Sequence, residues 1–302
     1  MFVGEGFEMI RVRVPATSAN IGPGFDAMGL ALKLYNEFGF ESLEKGVEIV
    51  GFKEKYNNDD NLVLKSVRRL YEAAGKEFMG IRITVKEGIP VSRGLGSSAA
   101  CIVGGLVGAN ALLDGPLSKD ELISLAVEIE GHPDNVVPAF EGGLTVSYAK
   151  DGSVRHEKIN FDYEKLLLYA LVPDFEVSTE KARKVLPETF PLEDVVCNIS
   201  RTAMLVASFL NGRFGNLWDI LSDRVHQPYR SRLINGFDQI KEKMIELEFD
   251  GLFISGAGPT LMGILSERDS RKVEALKEFL DSMENIWKLE PLGIDRKGVQ
   301  IF

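Results

Sequence analysis

At 302 residues, 45% hydrophobic and 26% charged, the chain has the make-up of a globular protein with room for one large domain or two moderate ones. Its formal net charge of −10 argues against nucleic acid as the main partner, because phosphate backbones attract basic faces. No run of about 18 apolar residues suggests a membrane span, and the N-terminal MFVGEGFEM lacks the basic and apolar regions of a secretory leader.

In chain order, residues 10–14 alternate as a strand that should end at Pro15, before a loop of small residues over 16–24. A polar turn at 56–61 precedes a helical spacing over 62–74, and residues 81–85 alternate as a second strand. Residues 90–100 read Pro-Val-Ser-Arg-Gly-Leu-Gly-Ser-Ser-Ala-Ala and lead into a small, apolar helix over 99–113. Ser118 and Glu121 form a capping box for a helix over 119–130, and Gly131-His-Pro-Asp-Asn should stop it in a polar loop. Gly142-Gly143 then opens a strand over 144–148.

The stretch 151–164 is polar and reads as a domain boundary, followed by a buried strand over 166–173. Helical patterns cover 179–186, 193–211, 215–226 and 236–247. An apolar segment, 253–265, bends at Ser-Gly-Ala-Gly-Pro (255–259), and a charged helix over 267–283 and a terminal strand pair close the chain. Without strict βαβ alternation, this order predicts an α+β protein in two domains, 10–160 and 161–302. Cys101 and Cys197 make neither a metal spacing nor a disulfide framework, which fits a reducing cytoplasm.

Strand, Gly/Ser turn and helix make a phosphate cradle: glycine lets the backbone come close, and the helix start offers free N–H groups. The P-loop pattern with its lysine is absent. Gly94-x-Gly96-x-x-Ala99 leaves a dinucleotide cradle open, though no acidic residue ends a second strand about 20 residues on. A helix start that only packs closely is the remaining alternative. Three further loops rich in glycine, proline and polar side chains (17–26, 130–135 and 255–260) favour a site, because such loops commonly carry function.

The 90–100 segment resembles the ATP motif of the galactokinase, homoserine kinase, mevalonate kinase and phosphomevalonate kinase superfamily, the GHMP kinases. Within it the chain resembles the homoserine kinases, on Pro-Ala-Thr-Ser-Ala-Asn-Ile-Gly-Pro-Gly-Phe-Asp (15–26), Glu-Gly-His-Pro-Asp-Asn-Val (130–136), Ser-Thr-Glu-Lys-Ala-Arg (178–183) and Asp-Arg-Val-His-Gln-Pro-Tyr-Arg (223–230). The resemblance implies a two-domain fold whose N-terminal part is like the second domain of ribosomal protein S5 and whose C-terminal part is ferredoxin-like. It implies phosphoryl transfer from ATP to the hydroxyl of L-homoserine, a step toward threonine, with Mg²⁺, and a homodimer. Other readings are a different alcohol kinase of the superfamily, or a silent ATP-binding regulator.

By that resemblance Pro90, Val91, Ser92, Arg93, Gly94, Leu95, Gly96, Ser97, Ser98, Ala99 and Ala100 hold ATP, with Asn61 a candidate adenine contact. Ser98 and Glu130 would bind Mg²⁺, a cation that takes few protein ligands. Glu128 points about 200° away around the helix and cannot share the metal. Arg183 and Arg230 match the arginines for a substrate carboxylate, and Asp26 matches the ammonium partner. Asn20, His132, Asn135 and Thr179 would complete the polar shell. Asn135, Asp134 and Arg183 are the catalytic candidates, and Asp134 invites a general-base role. The mevalonate kinase branch carries an aspartate in a different loop pattern for that task. A loose transition state needs little early proton removal, so direct transfer without an obligatory base is the expectation.

Overall fold

The computed structural model describes residues 9–302. Strand β1 (Ile10–Ala19) pairs antiparallel with the long β2 (Met28–Ser42). It does not end at Pro15: the register shifts between Pro15 and Ala16, and pairing resumes to Ala19. A bulge absorbs the proline's missing donor, so the strand carries Thr17 and Ser18 onward into the site. Along its other edge β2 pairs at one end with β4 (Gly80–Lys86) and at the other with β5 (Leu144–Lys150). Strand β3 (Gly46–Val50) runs parallel to β4, and β6 (Ser153–Ile159) pairs with β5. Part of the polar stretch expected as a boundary is therefore a hairpin strand.

Helix α1 (Leu62–Ala73) and the apolar α2 (Ser97–Leu112) pack together, with α2 lying on β1 and β2. The Ser118–Glu121 capping box starts α3 (Lys119–Glu130), and Gly131 ends it in the left-handed region at φ 92°. The expected polar loop is instead a second helix, α4 (Pro133–Glu141), buried almost throughout. Proline at the first helical position is preset for it, and the side chain of Asp134 lies at the positive helix end. Helix α4 settles on β2 at Gly29, where a Cβ would stand 1.7 Å from the Asp134 carbonyl oxygen.

The second sheet is antiparallel in the order β10-β7-β9-β8, from β7 (Leu167–Pro173), β8 (Gly251–Ile254), β9 (Leu261–Leu265) and β10 (Trp287–Leu292). That order, with helices between the strands, is the ferredoxin-like arrangement. Leu168, Ala170, Met262 and Ile264 join the first core, while Leu171, Leu261 and Leu265 join Ile240 of α8 (Phe237–Glu246) and Leu276 of α9 (Ser270–Asp281). A strand buried on both faces reads as a continuous apolar run, as residues 166–173 do. Helices α5 (Thr179–Lys184), α6 (Leu192–Leu210) and the one-turn α7 (Gln227–Arg230) lie between β7 and α8.

Residues 215–226 are turns, contrary to the expected helix. The four-residue spacing of Leu217 and Leu221 is real, since both are buried. Asp223 breaks it: its carboxylate accepts the N–H groups of Val225, His226 and Gln227 and so caps α7 instead. The terminal strands do not pair with each other. β11 (Gln300–Ile301) returns to the first sheet beside β1, so the last residues of the chain belong with the first domain's strands. No helix among the described residues is long and apolar enough to cross a membrane.

Candidate active site between the two sheets

The 90–100 loop leaves β4 and enters α2 through Gly96, which sits at φ 68° as the residue before the helix. A Cβ on Gly96 would fall 1.9 Å from Thr17 Oγ1, and one on Gly94 (φ 75°) 2.3 Å from the Ser255 carbonyl oxygen. The loop is thus clasped from both sides. Thr17 N–H donates to the Leu95 carbonyl, and Ser255 Oγ donates to the Gly94 carbonyl at 2.6 Å. The 255–259 turn therefore packs against the 90–100 loop.

A cavity of about 260 Å³ opens at this helix start. Val91, Ser92, Arg93, Gly94, Gly96, Ser97 and Ser98 line it. Pro90, Leu95, Ala99 and Ala100 do not: the last three are buried behind the cradle and can only support it. Arg93 turns its guanidinium to the Pro173 and Asp174 carbonyls, joining the loop to the second sheet. Asn61 touches the cavity, but its amide is occupied. Its Oδ1 caps α1 by accepting the Val63 and Leu64 N–H groups, and its Nδ2 donates to the Tyr56 carbonyl. The apolar end of the cavity is walled instead by Phe52, Tyr56, Leu62 and Val91. Cys101 also lines it, with burial pushing its thiol up to about 12, so it stays protonated.

Ser98 Oγ donates to Glu130 Oε2 at 2.7 Å, bringing together two residues from the start of α2 and the end of α3. Burial pushes the Glu130 carboxyl up, and the Ser98 hydrogen bond and the His132 charge offset only part of this. A desolvated carboxylate facing a cavity with one hydroxyl partner is suited to a cation. Glu128 is exposed and paired with Arg69, away from the cavity.

The same cavity also carries a dense set of charges. Arg183 makes two hydrogen bonds to Asp26, at 3.0 and 3.1 Å, so the expected carboxylate clamp and ammonium partner are joined to each other. Arg230 is 3% exposed and donates to the Ala182 and Gly256 carbonyls. Burial lowers its pKa to about 10, with Asp26 favouring the charged form. Phe25 lies under both guanidinium groups, 5.8 Å from that of Arg183 and 5.1 Å from that of Arg230. Asn20 is held between the Gly256 carbonyl and the Asp26 N–H, and Thr179, at the start of α5, lines the rim.

His132 Nδ1 is hydrogen-bonded to Asp134 Oδ1. Burial alone would lower the imidazole pKa, but Asp134, Glu130 and Asp26 outweigh it and raise it. Ligand atoms of Asp26, His132 and Asp134 lie within 4.8 Å of one another. Within that cluster Asp26 is paired with Arg183 and Asp134 is hydrogen-bonded to His132. Asn135 Oδ1 accepts from Thr17 Oγ1 at 2.8 Å, which turns the amide Nδ2 toward Asp134 Oδ1. Thr17 and Ser255 are the residues sequence reasoning passed over. Both sit in quoted motifs, but nothing in their spacing ties residue 17 to 135 or residue 255 to 94.

Thr17→Val keeps the shape and removes the bond that orients Asn135. It is expected to lower kcat by roughly 10- to 100-fold with little change in KM, while Thr17→Ser retains activity. Steady-state kinetics of both variants check this, and equal losses in the two would rule out the hydroxyl as the cause.

Residues 61–143 match the N-terminal domain of GHMP kinases, and residues 205–283 match the GHMP kinase C-terminal domain. Homoserine kinase of Clostridium botulinum is 46% identical over 293 residues, covering 97% of this chain and 98% of the relative. Homoserine kinase of Clostridium beijerinckii is 46% identical over 294 residues, with the same coverage. The crystal structure of homoserine kinase from Cytophaga hutchinsonii superposes with a TM-score of 0.88 at 28% identity over 100% of both chains. The fold and the helix-start cradle are thus those of a GHMP kinase. The chain belongs to the homoserine kinase family.

Proposed function

We propose that the site transfers the γ-phosphoryl group of ATP to the side-chain hydroxyl of L-homoserine, giving O-phospho-L-homoserine and ADP, as the relatives' name implies. One observation carries the residue assignment. The Ser98–Glu130 pair, from the start of α2 and the end of α3, and the Asp26, Arg183, Arg230 and Asn135 group line one and the same cavity. Gly94, Gly96, Ser97 and Ser98 cradle the triphosphate with backbone N–H groups, and the apolar end by Phe52 and Tyr56 takes the adenine. Ser98 and Glu130 would hold Mg²⁺, which neutralises phosphate charge when bound.

The substrate is a zwitterion, and its carboxylate and ammonium can each replace one half of the Arg183–Asp26 pair. Arg230 adds a second cation already fixed by two carbonyls. Asn135, held by Thr17, faces the accepting hydroxyl. Asp134 is 2% exposed and committed to His132 and Asn135, so it positions these groups, and transfer proceeds without an obligatory base.

The test is a coupled ADP-release assay with Mg-ATP. L-homoserine is the expected substrate, with mevalonate and galactose inactive; preference for either of these would overturn the assignment. Arg183→Lys keeps the charge but loses the two-pronged contact. It is expected to raise KM for homoserine by about 10- to 100-fold and to leave KM for ATP unchanged.

A further inference from the structure

The loop that carries Asn20, Phe25 and Asp26 is bent against backbone preference. Asn20, Ile21 and Asp26 have φ between 47° and 72°, the left-handed region that side chains avoid, β-branched ones above all. Such a conformation persists only where surrounding contacts hold it. Here they come from α6 and the segment 221–226. Gly22 (φ 71°) lies so close that a Cβ there would stand 2.6 Å from the Leu221 carbonyl oxygen. The Pro23 carbonyl accepts from Thr202 Oγ1 at 3.0 Å and from Asn198 Nδ2 at 3.4 Å. The Gly22 carbonyl lies 2.8 Å from Nε2 of His226, a residue with no exposed surface. A carbonyl only accepts, so Nε2 carries the proton. Nδ1 is buried and has no hydrogen-bond partner among the described residues, so a second proton would face no acceptor. The imidazole is therefore neutral. Burial lowers its pKa in the same sense, against the pull of the Asp223 charge.

Phe25 stacks on this imidazole, with ring centroids 5.2 Å apart and 23° between the planes. The same phenyl ring supports the guanidinium groups of Arg183 and Arg230. Neither Phe25 nor His226 lines the cavity. We propose that His226 is a positioning residue: as a neutral ring tied to the Gly22 carbonyl it backs Phe25, and through Phe25 it fixes the two guanidinium groups for the substrate carboxylate. The role rests on the assignment of those arginines to a carboxylate. His226 also accepts the Arg230 N–H on its own carbonyl, so it starts the helical turn that carries Arg230. A charged imidazole in its place would repel the two guanidinium groups. Asp223 cannot serve instead, because its carboxylate is taken up by Asn198 Nδ2 and the N–H groups of residues 225–227.

Steady-state ADP release tests this on the full chain with His226→Leu and Phe25→Leu, singly and together. The alcohols are L-homoserine and propanolamine, which is homoserine without its carboxylate. The parent protein is expected to prefer homoserine by at least ~100-fold in kcat/KM. Each single substitution should raise KM for homoserine about 10-fold, shrink that preference by the same factor and leave KM for ATP as in the parent. The double variant should lose little more than the worse single one, because both act through one ring. Losses that add in the double variant, that fall equally on both alcohols or that extend to KM for ATP overturn the inference. Should His226→Leu not fold, His226→Gln takes its place, keeping a donor for Gly22 but not the ring. It is expected to lose about threefold of the preference, and an unchanged preference overturns the inference. A parent protein that prefers neither alcohol overturns the assignment of the arginines to a carboxylate, and this role with it.

Discussion

Glu130→Gln is expected to cut kcat/KM by roughly 10²- to 10³-fold while the melting temperature of the ligand-free protein holds or rises. The two readouts move apart because the carboxylate is unfavourable without its cation. Burial already pushes its pKa up, and Ser98 is its hydrogen-bond partner. Glutamine keeps the size and accepts the same hydrogen bond without a buried charge. Ser98→Ala removes the other ligand and should cost less, because the hydroxyl is neutral. Saturating Mg²⁺ should recover part of the Ser98→Ala loss and little of the Glu130→Gln loss. Steady-state assays across a Mg²⁺ series, beside calorimetric melts, measure this. A melting temperature that falls along with activity would make Glu130 a structural residue; activity at the parent level would end its assignment as a metal ligand.

Gly96→Ala should be nearly as damaging, by a different route. The new Cβ would lie 1.9 Å from Thr17 Oγ1 and 3.2 Å from Asn135 Oδ1, at a φ of 68°. Left-handed backbone costs an alanine about 1–2 kcal/mol. The clash must also part Thr17 from Asn135 or lift the loop from the helix start. Displacement of about 1 Å at reacting groups is worth about 10²-fold in rate, so a loss of that order or more is expected. Gly75→Ala isolates the backbone cost, since Gly75 has φ 62° and nothing within 4 Å of a Cβ. Its melting temperature should fall modestly with activity intact. Equal activity in the two alanine variants would show that the close approach of Thr17 does not matter.

Much of this molecule is legible along the chain. The capping box at Ser118, the breaker at Gly131 and the two-face burial of residues 166–173 rest on neighbouring residues, and all appear in the fold. Periodicity misled at 215–226, where spacing matched a helix but the Asp223 carboxylate gathers the following N–H groups for itself. It was incomplete at 131–135, where a proline suited to the first helical turn starts α4 immediately after α3 ends. Asn61 lines the cavity as expected, and its place directly before an apolar helix also makes it a cap.

By itself the sequence determined many of the elements, the glycine-bearing helix start and the residue types a zwitterion and a phosphate require, because these depend on backbone preference and short spacing. Only the tertiary structure decided which groups meet. Thr17 finds Asn135, Ser255 finds Gly94, Arg183 finds Asp26 and β11 finds β1 across long stretches of chain. Such pairings follow from how the two sheets share a core and bury their polar groups, a global balance of packing and desolvation that no local pattern encodes.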